Sequence, residues 1–143
     1  MVRLIIFISV VLGFISCSNN SLEKKEIFSG DTVRFSSERV GLYVWTHNID
    51  SIKYYQEKNK QINPFSPSMI DLSAPVYTYV PASLVINVKD KDQKIIVTFI
   101  WNSISPGAYR FDWWQYIYHL PHDVYFIEKI INGNSETYKA YFI

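Results

Sequence analysis

A single cysteine, Cys17, serves all 143 residues, so no disulfide closes within the chain and no thiolate cluster is available for zinc. A surplus of either charge is missing too. The chain carries 14 Lys+Arg against 13 Asp+Glu, which provides neither a footprint for nucleic-acid phosphates nor a polybasic patch for anionic lipid. No uninterrupted apolar run approaches the about 20 residues that cross a bilayer as a helix. The motifs that announce common chemistries are absent as well: Gly-x-Ser-x-Gly, the P-loop and His-Glu-x-x-His do not occur. Acidic residues are scattered singly, and no catalytic carboxylate pair stands out. These absences leave no cofactor implied and no nucleic-acid partner.

What is present begins at residue 1. Met1, Val2 and Arg3 precede Leu4–Ile15, 12 residues interrupted only by Ser9 and Gly13. That is the shape of a secretory signal, with a positive start, an apolar centre and small residues before a cleavage point. At about 1.5 Å per residue it reaches only about 18 Å, short of about 30 Å of hydrocarbon. Phe14-Ile15-Ser16-Cys17 then resembles the lipobox of bacterial lipoprotein precursors, in which a short apolar stretch and a small residue precede the cysteine that is modified. The resemblance implies that Cys17 is alkylated by a diacylglycerol, that residues 1–16 are removed as signal peptide, and that Cys17 opens the mature chain. Two or three acyl chains, at about 0.8 kcal/mol per buried methylene, anchor a protein stably. A lone cysteine is more commonly a small buried hydrophobe, but Ser18-Asn19-Asn20-Ser21 offers Cys17 no core. Ser18, in place of aspartate, is the pattern that permits outer-membrane sorting in this family. The implied address is therefore the bacterial cell envelope, lipid-anchored at the outer membrane.

The remaining chain divides into a polar tether over 17–30, headed by the lipidated cysteine, and a single β-rich domain over 31–143. After the signal there are 15 Ile and 9 Val against 5 Leu and 4 Ala, a balance that favours strands. Alternation marks Val33 and Phe35, then Val40, Leu42 and Val44 opposing Tyr43, Trp45 and His47. Residues 49–58 carry the one helical spacing, with Asn48 placed to cap. Pro75 and Pro81 bracket 76–80 as an edge strand. Leu84–Lys89 and Lys94–Trp101 read as a hairpin, and the second arm, apolar on nearly both faces, as the central strand. Asn132-Gly133 joins 123–131 to a last strand that runs to Ile143. The fold class is all-β: an antiparallel β-sandwich, immunoglobulin-like in its layering, of about seven to eight short strands with one short helix near 49–58.

One constellation could carry function. In residues 112–123 (DWWQYIYHLPHD) an extended backbone would place Trp113, Gln115, Ile117 and His119 on one face and Trp114, Tyr116, Tyr118 and Leu120 on the other. Trp113, Trp114, Tyr116 and Tyr118 are the candidate ligand contacts, because exposed rings suit sugar faces and protein anchors alike. The competing reading is core packing, and exposure separates the two. His119, His122 and Asp123 could serve a small hydrolase or metal-dependent enzyme if a turn brought them together, although a strand sends the two imidazoles to opposite faces. The functional expectation is a membrane-anchored envelope lipoprotein whose domain is a non-catalytic binding module for a protein or a glycan. The alternatives are the enzyme just described and a structural subunit of an envelope assembly. Substituting Cys17→Ala is expected to abolish metabolic labelling with palmitate and leave an uncleaved or soluble chain, and continued labelling would refute the anchor.

Overall fold

The computed structural model describes residues 30–60 and 73–141. The expected signal segment, Cys17, the expected tether as far as residue 29, residues 61–72 and the last two positions, 142–143, lie outside the described residues. Eight strands run in the order β1 (Asp31–Phe35), β2 (Tyr43–Thr46), β3 (Ala74–Thr78), β4 (Ala82–Lys89), β5 (Ile95–Ile104), β6 (Gly107–Phe111), β7 (Val124–Ile131) and β8 (Asn134–Tyr141). A helix α1 (Ile49–Lys60) follows β2, and a single turn α2 (Trp114–Ile117) follows β6. The strands form a five-stranded sheet, β1-β5-β4-β7-β8, and a three-stranded sheet, β2-β6-β3. The expected all-β sandwich is what the chain builds.

Period-two alternation dictates which side of each strand faces inward. Leu84, Ile86 and Val88 of β4 and Val97, Phe99 and Trp101 of β5 are completely buried, and the register aligns them pairwise on one face. From the small sheet Val76, Tyr109 and Phe111 meet them. Each such side chain contributes roughly 1.5–3 kcal/mol through burial, so the shared interior supplies most of what joins the sheets. The junction is aromatic. Phe35 stacks on Trp101 with centroids 4.4 Å apart, Phe111 stands edge-on to Phe99 at 4.7 Å and to Trp101 at 5.0 Å, and Tyr116 meets Phe99 at 5.0 Å. The Trp101 indole N–H donates to the Val40 carbonyl at 2.9 Å, which supplies the partner a buried indole requires.

The outer face of the small sheet carries α1. Asn48 caps it, its Oδ1 accepting from the Asp50 amide at 3.0 Å. Ile52 is fully buried, and Tyr55 stacks on Trp45 at 5.8 Å with the rings 5° from parallel. Trp45 stacks in turn on Tyr77. The molecule thus has three layers where the helix lies, and Trp45 and Tyr77, which alternate outward from β2 and β3, find cover.

Three features depart from the alternation-based reading. The centre of the large sheet is β4, not β5, because β1 pairs only with β5 and β7 and β8 extend the other side. The β1–β5 pair is parallel, from Asp31 opposite Val97 to Phe35 opposite Trp101, so one pair of an otherwise antiparallel fold joins segments more than 60 residues apart. Residues 112–123 are not a strand: β6 stops at Phe111, and the chain turns through α2. The turn is held at Asp112, whose Oδ1 lies 2.8 Å from Arg110 Nε and accepts the Ser73 hydroxyl at 2.6 Å.

Polar straps close the open side of the sandwich. Lys129 points inward from β7, and its ammonium donates to the Pro75 carbonyl of β3 at 2.6 Å while lying 3.4 Å from Glu136. Burial is the main cause that lowers its pKa, opposed by Glu136. Tyr138 donates to the Ser73 carbonyl at 2.9 Å. At the other side the chain passes from β5 to β6 through only Ser105 and Pro106, changing sheets. Gly107 is required there, since a Cβ would fall 2.5 Å from the Thr46 carbonyl oxygen of β2. Gly107→Ala is therefore expected to cost about 1–3 kcal/mol through overpacking against backbone, read as a lower urea midpoint with unchanged slope. An unaltered midpoint would refute the close approach.

Candidate functional site

The strand directions divide the molecule into two ends. Gly30, the first described residue, donates its amide to the Ile96 carbonyl at 2.6 Å, so the described chain starts at the end where β5 begins. The β4–β5 turn, the end of β8 and the start of β7 lie at that same end, as the Lys91–Asp123 contact at 3.9 Å and the Val124–Tyr141 pairing attest. The opposite end gathers the β5–β6 corner, the β1–β2 connection, the β3–β4 turn and the β7–β8 turn. Asn132 ties two of these together, its side-chain oxygen accepting from the Ser83 amide at 3.0 Å. The ten residues of β5 separate the ends by about 30 Å at about 3.3 Å per residue.

A cleft of about 370 Å³ opens at the far end, lined by Glu38, Arg39, His47, Ile49, Ser105 and Pro106. Its size falls at the lower end of ordinary ligand sites. Three segments build it. Glu38 and Arg39 come from the turn after β1, His47 from the passage between β2 and α1 with Ile49 beginning that helix, and Ser105 and Pro106 from the corner between sheets. Exposed apolar side chains stand on the same end: Ile49 is 51% exposed, Tyr79 47% and Val80 56%.

Hydrogen bonding orders the cleft. The Tyr109 hydroxyl, rising from the core, donates to the Ser105 carbonyl at 2.5 Å. Its only proton is thereby used, and the Pro106 carbonyl can only accept. His47 Nδ1 lies 3.3 Å from both oxygens, so Nδ1 must carry the proton and share it between them. Nε2 is then the acceptor of the neutral ring. Glu38 Oε2 accepts from the Ser105 amide at 3.3 Å. Burial alone would raise the Glu38 carboxyl, but the Ser105 hydroxyl and amide, with His47 nearby, hold it below the ordinary range. Burial, helped by the Glu38 charge, pushes Tyr109 up to about 12.

This arrangement differs from an acyl-transfer triad. In an acyl-transfer site the imidazole takes the proton of the nucleophilic hydroxyl and a carboxylate orients the imidazole. Here the Ser105 backbone amide is what donates to the carboxylate, and the imidazole is oriented by a carbonyl and a phenol. Glu38 and His47 are held by these bonds as an acceptor and a donor.

The aromatic candidates fall elsewhere. Trp113 has no exposed surface and belongs to the core, so it cannot meet a ligand. Tyr116 is packed among Phe35, Phe99 and Phe111, and Trp114 is partly buried against the same core. Only Tyr118, 50% exposed and edge-on to His119, faces outward. The platform expected of an extended 112–123 is replaced by a turn that folds its rings inward. His119, His122 and Asp123 are all exposed, and among the described residues no three His, Cys, Asp or Glu side chains converge as metal ligands. The cleft residues carried no local sequence signal. His47 sits in a strand pattern and Glu38 in a polar turn, and only the parallel β1–β5 pairing brings that turn to the corner. Comparison of the chain with family models, curated proteins and solved structures found no match.

Because the Tyr109 proton is held more tightly in the folded protein than at the ordinary value of 10.0, its contribution to stability is intact below about pH 10 and is lost as pH rises toward 12. Tyr109→Phe is expected to lessen the fall in thermal midpoint between those limits relative to the parent. Identical alkaline profiles would show that this phenol is not so held.

Proposed function

We propose that this chain is a lipid-anchored protein of the bacterial cell envelope, held through Cys17, whose β-sandwich acts as a non-catalytic binding module. The lipobox resemblance of residues 14–17 supports the anchor. One observation carries the binding reading: an ordered cleft and the exposed Ile49, Tyr79 and Val80 share the end of the domain opposite the entry of the tether. A protein fixed at one pole meets its partners at the other, and there the polar groups are already held in place, which lowers the entropic cost of binding. Aromatic and aliphatic anchors beside oriented polar groups are what recognition surfaces use.

The same arrangement speaks against a reaction centre at the tether end. His119, His122 and Asp123 would have to act from exposed positions beside the membrane, and Asp123 already lies near Lys91. The reading is tested in native membranes with a benzophenone side chain installed at Tyr79 or at Tyr118 of the full-length chain. Benzophenone inserts into C–H bonds of protein and glycan alike. Adducts are expected from Tyr79 and not from Tyr118; adducts from Tyr118 alone, or from neither, would sink the proposal.

A further inference from the structure

We infer that the cleft formed by Glu38, Arg39, His47, Ile49, Ser105 and Pro106 binds an uncharged sugar ring of a glycan. The inference rests on the binding reading above and narrows it to a ligand class. The donor and acceptor inventory supports the choice. Glu38 offers an acceptor-only carboxylate, its Oε2 held by the Ser105 amide at 3.3 Å. Arg39 contributes a donor-only guanidinium to the same cleft. His47 has its Nδ1 proton committed to Pro106 and Tyr109, which leaves Nε2 as an acceptor.

A ligand must therefore offer donors and acceptors together. Vicinal hydroxyls do so, because each O–H can donate to the carboxylate or to Nε2 while its lone pairs accept from the guanidinium. The full charges of Glu38 and Arg39 cancel across the cleft. A cationic ligand would gain Glu38 and meet Arg39, and an anionic one would gain Arg39 and meet Glu38, so neither finds net complementarity. The remaining lining is apolar, with Pro106 and the exposed side chain of Ile49. Those carbons suit the C–H face of a pyranose.

The test uses the full-length lipidated chain in detergent on a printed array of neutral, sulfated and sialylated oligosaccharides, followed by titration with the strongest neutral oligosaccharide found. The expected result is selective retention of neutral glycans with affinity insensitive to added salt. Glu38→Gln and Arg39→Ala should each weaken binding about tenfold or more, while Tyr118→Ala at the tether end leaves it unchanged. Matching thermal midpoints establish that the variants are folded. Retention of charged glycans alone, no retention, or binding indifferent to both cleft substitutions would overturn the inference. Crosslinks from Tyr79 to a protein, with no glycan retained, would remove the ligand class and leave the binding reading standing, whereas loss of both would remove both.

Discussion

Two sheets of unequal width need a common interior, and here it is an aromatic joint. Phe35 comes from the first strand, Phe99 and Trp101 from the fifth, Phe111 and Tyr116 from the sixth and the turn beyond it, all within 4.4–6.2 Å of a neighbouring ring. Offset and edge-on contacts of this kind add about 0.5–1.5 kcal/mol to the burial of each pair. In the parallel register Phe35 lies opposite Trp101, and Gly41, whose Cβ would fall 2.8 Å from the Phe35 ring, lets the next segment pass close over it.

The same joint explains how much of the molecule was legible beforehand. Strand content, the β4–β5 and β7–β8 hairpins and the Asn48-capped helix are local matters, written in alternation, Asn-Gly and capping residues, and these the chain displays openly. The parallel β1–β5 pair is not local. Nothing in residues 31–35 distinguishes a strand that will pair with its sequence neighbour from one that will pair with residues 97–101. The aromatic run 113–118 misled for a related reason. Its side chains read equally well as an exposed ribbon or as core, and the choice was made by Asp112, anchored between Arg110 and Ser73, which turns the backbone before a ribbon can form. The cleft depended on the parallel pairing, so its residues gave no pattern along the chain.

At the far end the construction principle changes from apolar contact to fixed polarity. Tyr109 spans the two regimes, its ring buried in the sandwich and its hydroxyl positioning both the Ser105 carbonyl and the His47 ring. The cleft therefore inherits its order from the core beneath it. A loop-borne site would have to be ordered by its ligand, whereas this one stands on the ends of β2, β5 and β6 and on the first turn of a capped helix.

The parallel first strand has a mechanical meaning. On the proposed anchor, tension between membrane and partner would enter the domain at Gly30 and leave it at the far end, along the axis of β1. A strand pulled along its own length against a parallel neighbour is loaded in shear, so the ladder bonds from Asp31 to Phe35 resist together instead of opening one at a time. Behind them the Phe35 ring is wedged between Trp101 and Phe111. The segment that joins the domain to its tether would then be the one best placed to bear a load without letting go.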